Sequence, residues 1–198
     1  MEMFAVPWAI VVCGWMIIFL ILAITHLKLH HLSGGIYAFE DKDLHRQRIV
    51  LRLTTLMYLI AGCFLAWNMY FASFDDISGI MEKYFIGIGI IVFAAAILLI
   101  IKARIALGSN WTWSGYLLKD KHSLIQEGPY KYIRHPLYTG YLLAGVASGL
   151  VLTSSAVLFV CLFIIPILYW EAIIEEQHLQ VIFPDEYKKY MQKTRMFF

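Results

Sequence analysis

Two groups of ionisable side chains stand out in a chain of 198 residues that is 61% hydrophobic. The first is His122, Tyr130, Arg134, His135 and Tyr138. The second is Glu171, Glu175, Glu176 and His178. Glu171 and Glu175 stand one helical turn apart, so a helix would present both on one face. Carboxylates near hydrocarbon are costly unless paired, and they mark function by default. These acids can hold a cationic ligand, or they can pair with Arg134. The His and Tyr groups offer donors for an anion. The first group sits in residues 122–140, a polar, turn-rich and aromatic stretch. Long connections are usually functional or disordered, and this one carries too many Tyr, His and apolar residues to fit disorder.

The elements that must position these groups are read from the apolar runs. Charged residues make up only 15% of the chain, against about 25% in soluble domains. Residues 3–27, 53–74 and 84–101 carry no Lys, Arg, Asp or Glu, and each approaches or exceeds the ~18–20 residues that cross a bilayer. Residues 135–170 form an uncharged run about twice that length, broken near its middle by Thr153, Ser154 and Ser155. In lipid the backbone must satisfy its own hydrogen bonds, so the spans are helices. The expected fold is all-α: a polytopic membrane protein with five transmembrane helices, the last two forming a helical hairpin. The N-terminal run lacks a basic leader and a clear cleavage site, and reads as a true span rather than a signal peptide.

The expected spans are residues 6–27, 53–74, 81–106, 137–152 and 156–183. Asn68 in span two reads as helix–helix glue, and Gly87, Gly89 and Ala94 to Ala96 in span three permit close helix approach. Lys102 and Arg104 close span three at the membrane edge, before Trp111 and Trp113 as aromatic anchors. Cys13, Cys63 and Cys161 are scattered within spans, with no metal or disulfide spacing. His30 and His31 read as solvated or headgroup-facing rather than as metal ligands. Pro184, Asp185 and Glu186 look like a fresh helix start, with Tyr187, Tyr190 and Met191 as its packed face.

Orientation follows from the basic residues. Five spans put fifteen of the sixteen Lys and Arg on one side, with Lys83 opposite. The positive-inside rule then places the N-terminus outside, and the C-terminus and both ionisable groups in the cytoplasm. A short hairpin would bring the start of span four beside the end of span five.

At these two places the residues resemble a known family. His122-Ser-Leu-Ile, then Gly128-Pro-Tyr-Lys-Tyr-Ile-Arg-His-Pro-Leu-Tyr-Thr-Gly140, then Glu175-Glu176 followed by Leu179, Phe183 and Tyr187, are similar to isoprenylcysteine carboxyl methyltransferases of the prokaryotic type. The resemblance covers roughly the last third of the chain. It implies one integral-membrane methyltransferase domain over residues 1–198, with variable spans in 1–106 and the cofactor-binding and catalytic part in 107–198. It implies S-adenosylmethionine as cofactor, released as S-adenosylhomocysteine. The residues implied around the cofactor are His122, Ser123, Leu124, Ile125, Gly128 and Tyr130, then His135, Pro136, Leu137 and Tyr138, then Glu175 and Glu176. Arg134, Glu171 and Glu175 are read as the catalytic residues from their own chemistry, and no metal is expected. Arg134 either binds the substrate's anion or locks Glu176. The implied partners are the bilayer and a lipidated or lipid-like substrate arriving sideways from it; no nucleic-acid partner is expected.

One position departs from the pattern. Eukaryotic members of that family carry an Arg one turn before the pocket Glu, where it is thought to meet the substrate carboxylate; here it is Glu171. The leading expectation is O-methylation of an isoprenylcysteine or similar lipid-linked carboxylate, which needs no general base because the nucleophile is already ionised. Phospholipid amine N-methylation is the alternative, which Glu171 would suit. Membrane sterol reductases using NADPH share the general architecture, but place Asn-Tyr after the Arg-His where this chain has Pro-Leu-Tyr. The remaining reading is a non-catalytic scaffold whose glutamates only cap Arg134 and Lys131.

Overall fold

A computed structural model describes residues 2–30, 80–110 and 123–198. Among them lie five α-helices: α1 (Glu2–His30), α2 (Ile80–Leu107), α3 (Pro136–Val151), α4 (Ser155–Ile182) and α5 (Pro184–Lys193). Val6–Ile24 of α1, the whole of α2 and the whole of α4 are long and apolar enough to cross a membrane, and α3 is a shorter apolar helix. These agree with the expected spans one, three, four and five to within a residue or a few at each end. Span two, Asn68 and Cys63 lie outside the described residues.

The helices pack through small residues, as they must where lipid is as apolar as leucine. On α2 the buried positions Gly89, Phe93, Ala96, Ile100 and Ala103 recur every three or four residues. That stripe meets Leu137, Ala144 and Ala147 of α3, with Ile18 and Leu22 of α1 joining the same cluster. Contact is close enough that a Cβ on Gly140 would fall 2.5 Å from Cγ1 of Ile100. A polar tie joins α1 to α3: Trp15 Nε1 donates to Ser148 Oγ at 3.0 Å, and that hydroxyl donates to the Ala144 carbonyl at 2.7 Å. The opposite faces carry Ile88, Ile91, Leu98 and Ile105 on α2, and Phe159, Leu162 and Phe163 on α4, all exposed.

Residues 152–154 turn the chain from α3 into α4. The Ser154 N–H donates to the Gly149 carbonyl at 2.9 Å and the Thr153 N–H to that of Leu150 at 3.1 Å. This is a Schellman arrangement, which uses up orphan carbonyls at a helix end. Its left-handed position is Thr153, at φ 47, where glycine is the usual residue. Ser154 then caps α4, its hydroxyl accepting from the Val157 N–H. Next to the turn, a Cβ on Gly149 would fall 2.5 Å from Leu158 Cδ2, so α3 and α4 run close from their first contact. Pro166 inside α4 removes one backbone donor, a loss that membrane helices tolerate. The fresh helix at Pro184 is present, with Tyr187 and Tyr190 buried and Met191 half-buried.

Candidate active site

The loop ahead of α3 is shaped by a single tight turn. Gly128 has φ +57, and a Cβ there would also press to 3.3 Å from that of Ala106. Both the left-handed backbone and the close approach to α2 call for glycine. Pro129 starts the 3-10 turn Gly128–Lys131, and the Tyr130 N–H donates to the Glu127 carbonyl at 3.1 Å. The turn drives Tyr130 into the core beside Ala103 and Leu137. Tyr190 of α5 holds it there, donating its hydroxyl to the Tyr130 carbonyl at 2.6 Å. Upstream, Ser123 is exposed and Leu124 and Ile125 are half-buried, with Ile125 against the main core. The Ser123 N–H donates to Asn110 Oδ1 at 2.9 Å, and Gln126 donates to Glu186 of α5 at 3.0 Å. His122 lies outside the described residues.

After the turn four residues lead into α3, where His135 precedes the helix and Pro136 occupies its first turn. Here the two ionisable groups meet. Arg134 Nε donates to Glu176 Oε1 at 2.7 Å. His135 Nε2 lies 3.1 Å from the same oxygen, and its Nδ1 lies 3.5 Å from Glu175 Oε2. Tyr138 donates its hydroxyl to Glu175 Oε2 at 3.1 Å, and its ring stacks nearly parallel on that of His135, with centroids 5.4 Å apart. The start of α3 therefore lies against the far end of α4, as sequence reasoning expects. Arg134, His135, Tyr138, Glu175 and Glu176 form one connected cluster.

Of the two roles left open for Arg134, the geometry realises the lock on Glu176. Its NH1 is also engaged, donating to the Thr194 carbonyl at 2.6 Å and to that of Met191 at 3.4 Å. The side chains of Arg134 and Glu176 are 11% and 9% exposed, whereas that of Glu175 is 35% exposed. Glu175 is thus the carboxylate of the cluster that is tethered yet open. Pro136 and Leu137 are buried beneath it as packing residues, Glu171 is half-buried one turn earlier on α4, and His178 is half-buried two residues beyond Glu176.

The charges tune their neighbours. Burial by itself pushes the His135 imidazole down, but hydrogen bonds and charge from Glu175 and Glu176 outweigh it and hold the pKa above its usual value. Only the protonated ring can donate from both nitrogens, which suits a histidine between two carboxylates. Burial, reinforced by the Glu175 charge, raises the Tyr130 phenol well above its usual value. Burial pushes Tyr190 up to about 12, so it remains a donor to the Tyr130 carbonyl at any ordinary pH.

Two features escape the sequence reading. Arg104, expected at the membrane edge, is 1% exposed, and its Nη1 donates to the Gly108 carbonyl at 2.8 Å. Residues 194–198 lie along the loop: the Arg134 N–H donates to the Arg195 carbonyl at 2.8 Å, the His135 N–H to that of Met196 at 3.1 Å, and the Arg195 N–H to that of Tyr132 at 3.1 Å. This is a parallel bridge between Ile133 and Arg195. One paired residue on each side leaves no alternation in the sequence to read.

Apolar membrane-length helices that end in a buried Arg–His–Glu cluster with one open carboxylate define an integral membrane protein with a polar site at the end of its last long helix. The family model for phospholipid methyltransferases matches residues 84–186, just over half of the chain, with most of α2 and all of α3 and α4. The chain belongs to that family, which points to a membrane methyltransferase. No curated protein matches it.

Proposed function

We propose that the protein is an S-adenosylmethionine-dependent methyltransferase acting on an amine-bearing membrane lipid. The observation that carries the acceptor class is the commitment of Arg134: its Nε and Nη1 are given to Glu176 and to two backbone carbonyls. A carboxylate acceptor would find Glu171 where a cation is wanted. An amine acceptor finds acids on the helix face beside it.

The residues present fit the donor. Glu175 is oriented by Tyr138 and His135 yet open, which suits an ammonium group. Leu124, Ile125, Gly128, Pro129 and Tyr130 provide an apolar strip with backbone groups for a purine. Glu176, by fixing Arg134 and His135, acts through them. When bound, the cofactor supplies a methyl group activated on a sulfonium. The chain's own work is alignment, exclusion of water and removal of a proton. A lipid ammonium must lose a proton before its nitrogen can attack, and the carboxylate of Glu171, one turn before the donor-binding Glu175, is the group able to hold it.

A second reading keeps the isoprenylcysteine carboxylate as acceptor. It is supported by the run from Arg134 to Gly140 and by the arrangement of His135 and Tyr138 that this run builds. Both readings carry the same architecture: five spans, the last two a hairpin, residues 107–198 as the working part, and the site in the cytoplasm. Purified protein with labelled cofactor should methylate vesicles containing phosphatidylethanolamine and leave farnesylcysteine unlabelled. Label in the farnesylcysteine alone reverses the choice, and tight NADPH binding without S-adenosylhomocysteine binding removes methyl transfer altogether.

A further inference from the structure

Residues 194–198 lie beyond the stretch that the family model matches, yet they are built into the site. Their backbone takes up the N–H groups of Arg134 and His135 and the carbonyl of Tyr132. The Thr194 carbonyl accepts from the Arg134 guanidinium at 2.6 Å, and the Thr194 hydroxyl anchors the segment by donating to the Tyr190 carbonyl at 2.7 Å. The Phe197 ring lies 5.8 Å from the ring of His135 and 6.4 Å from that of Tyr169 on α4. His135 is therefore flanked by Tyr138 and by Phe197, and its two nitrogens face Glu175 and Glu176. The strap reaches both sides of the cluster at once, the loop by its backbone and α4 by one aromatic ring.

We infer that residues 194–198 are a working strap of the donor site, and that Phe197 is a positioning residue that holds His135, and through it Glu175, in register for the cofactor's ammonium. The inference rests on the donor site proposed above. It assigns the strap to donor binding rather than to lipid selection, because the strap's contacts with Arg134 and His135 fall on the two residues that hold Glu176 and Glu175. A side chain fixed by packing holds a ligand group better than one left to sample rotamers.

The test compares wild type, Phe197→Ala, Phe197→Tyr and Arg195→Pro in detergent. The last removes the N–H that bonds the Tyr132 carbonyl. Calorimetry with S-adenosylhomocysteine and steady-state kinetics with the full-length protein supply the readouts. Phe197→Ala should weaken S-adenosylhomocysteine and raise KM for the methyl donor by about tenfold, the scale of one aromatic contact. Its KM for the lipid and its kcat should stay within about twofold of wild type, well short of that loss. Phe197→Tyr should restore donor affinity, and Arg195→Pro should lower it at least as far as Phe197→Ala. Unchanged donor affinity in Phe197→Ala overturns the inference, as does a loss that follows the thermal midpoint and vanishes on cooling. Should Arg195→Pro fail to fold, the Phe197 pair decides alone. Wild type that does not bind S-adenosylhomocysteine sinks the donor site itself, a separate outcome from a variant that binds as well as wild type.

Discussion

The cluster turns on who holds whom. Arg134 presents two nitrogens to three acceptors, so its planar fork rather than its charge is what the site uses. Arg134→Ala leaves a nearly buried Glu176 with His135 as its remaining partner and should cost about 3 kcal/mol, the scale for breaking a buried pair. Arg134→Lys should recover little of it in denaturation curves taken in detergent. Glu175→Gln keeps the shape and removes the charge; binding of S-adenosylhomocysteine should fall at least about tenfold, the scale of a charge-assisted hydrogen bond, with little change in thermal midpoint. His135 supplies a pH dependence. Its folded pKa stands above 6.5, so the protonated ring stabilises the fold fully below that pH, and the contribution is lost as pH rises through the folded value. The gap in thermal midpoint between wild type and His135→Asn should therefore be widest in mild acid and close as the buffer turns alkaline. The sequence shows the types of these residues and, through the spacing of the spans, their meeting. It could not choose between the two roles of Arg134, because the deciding acceptors are the carbonyls of Thr194 and Met191, and a backbone oxygen leaves no trace in residue type.

Among the elements, α2 and α3 depend on missing side-chain volume. Gly140→Ala forces a Cβ against Ile100, which is fully buried. The cost should be about 1–3 kcal/mol, as for other overpacked cores. Adding Ile100→Ala should relieve part of it, so thermal midpoints of the double variant should be less than additive. The helices themselves were legible from uncharged runs, since a bilayer demands length and apolarity from each span and tolerates little else. The turn between α3 and α4 was legible from Thr153, Ser154 and Ser155, although not its form, since Thr153 takes the left-handed position that glycine would advertise. Arg104 misled for a related reason. A basic residue at the end of an apolar run normally reaches out to the interface, and here it is packed inside, with the Gly108 carbonyl of the turn after α2 as an acceptor.

At the scale of the whole molecule, the site belongs to α4 as much as to the loop. A Cys placed at an exposed position of α5, such as Lys189, should react with a membrane-impermeant thiol reagent only after the cytoplasmic face is opened, if the basic residues orient the chain as read. The same rod that crosses the bilayer also carries the acids. Twenty-eight residues in α4 span about 42 Å, against roughly 30 Å of hydrocarbon, so Glu175 and Glu176 ride where the overhang begins and Glu171 stands one turn inside it. How far they stand from the lipid headgroups is then a matter of membrane thickness, because a rigid span must tilt or sink to match what surrounds it. In vesicles made from lipids of increasing acyl length, turnover on a fixed acceptor should pass through an optimum while donor affinity stays level: the helix acts as a depth gauge for its own chemistry.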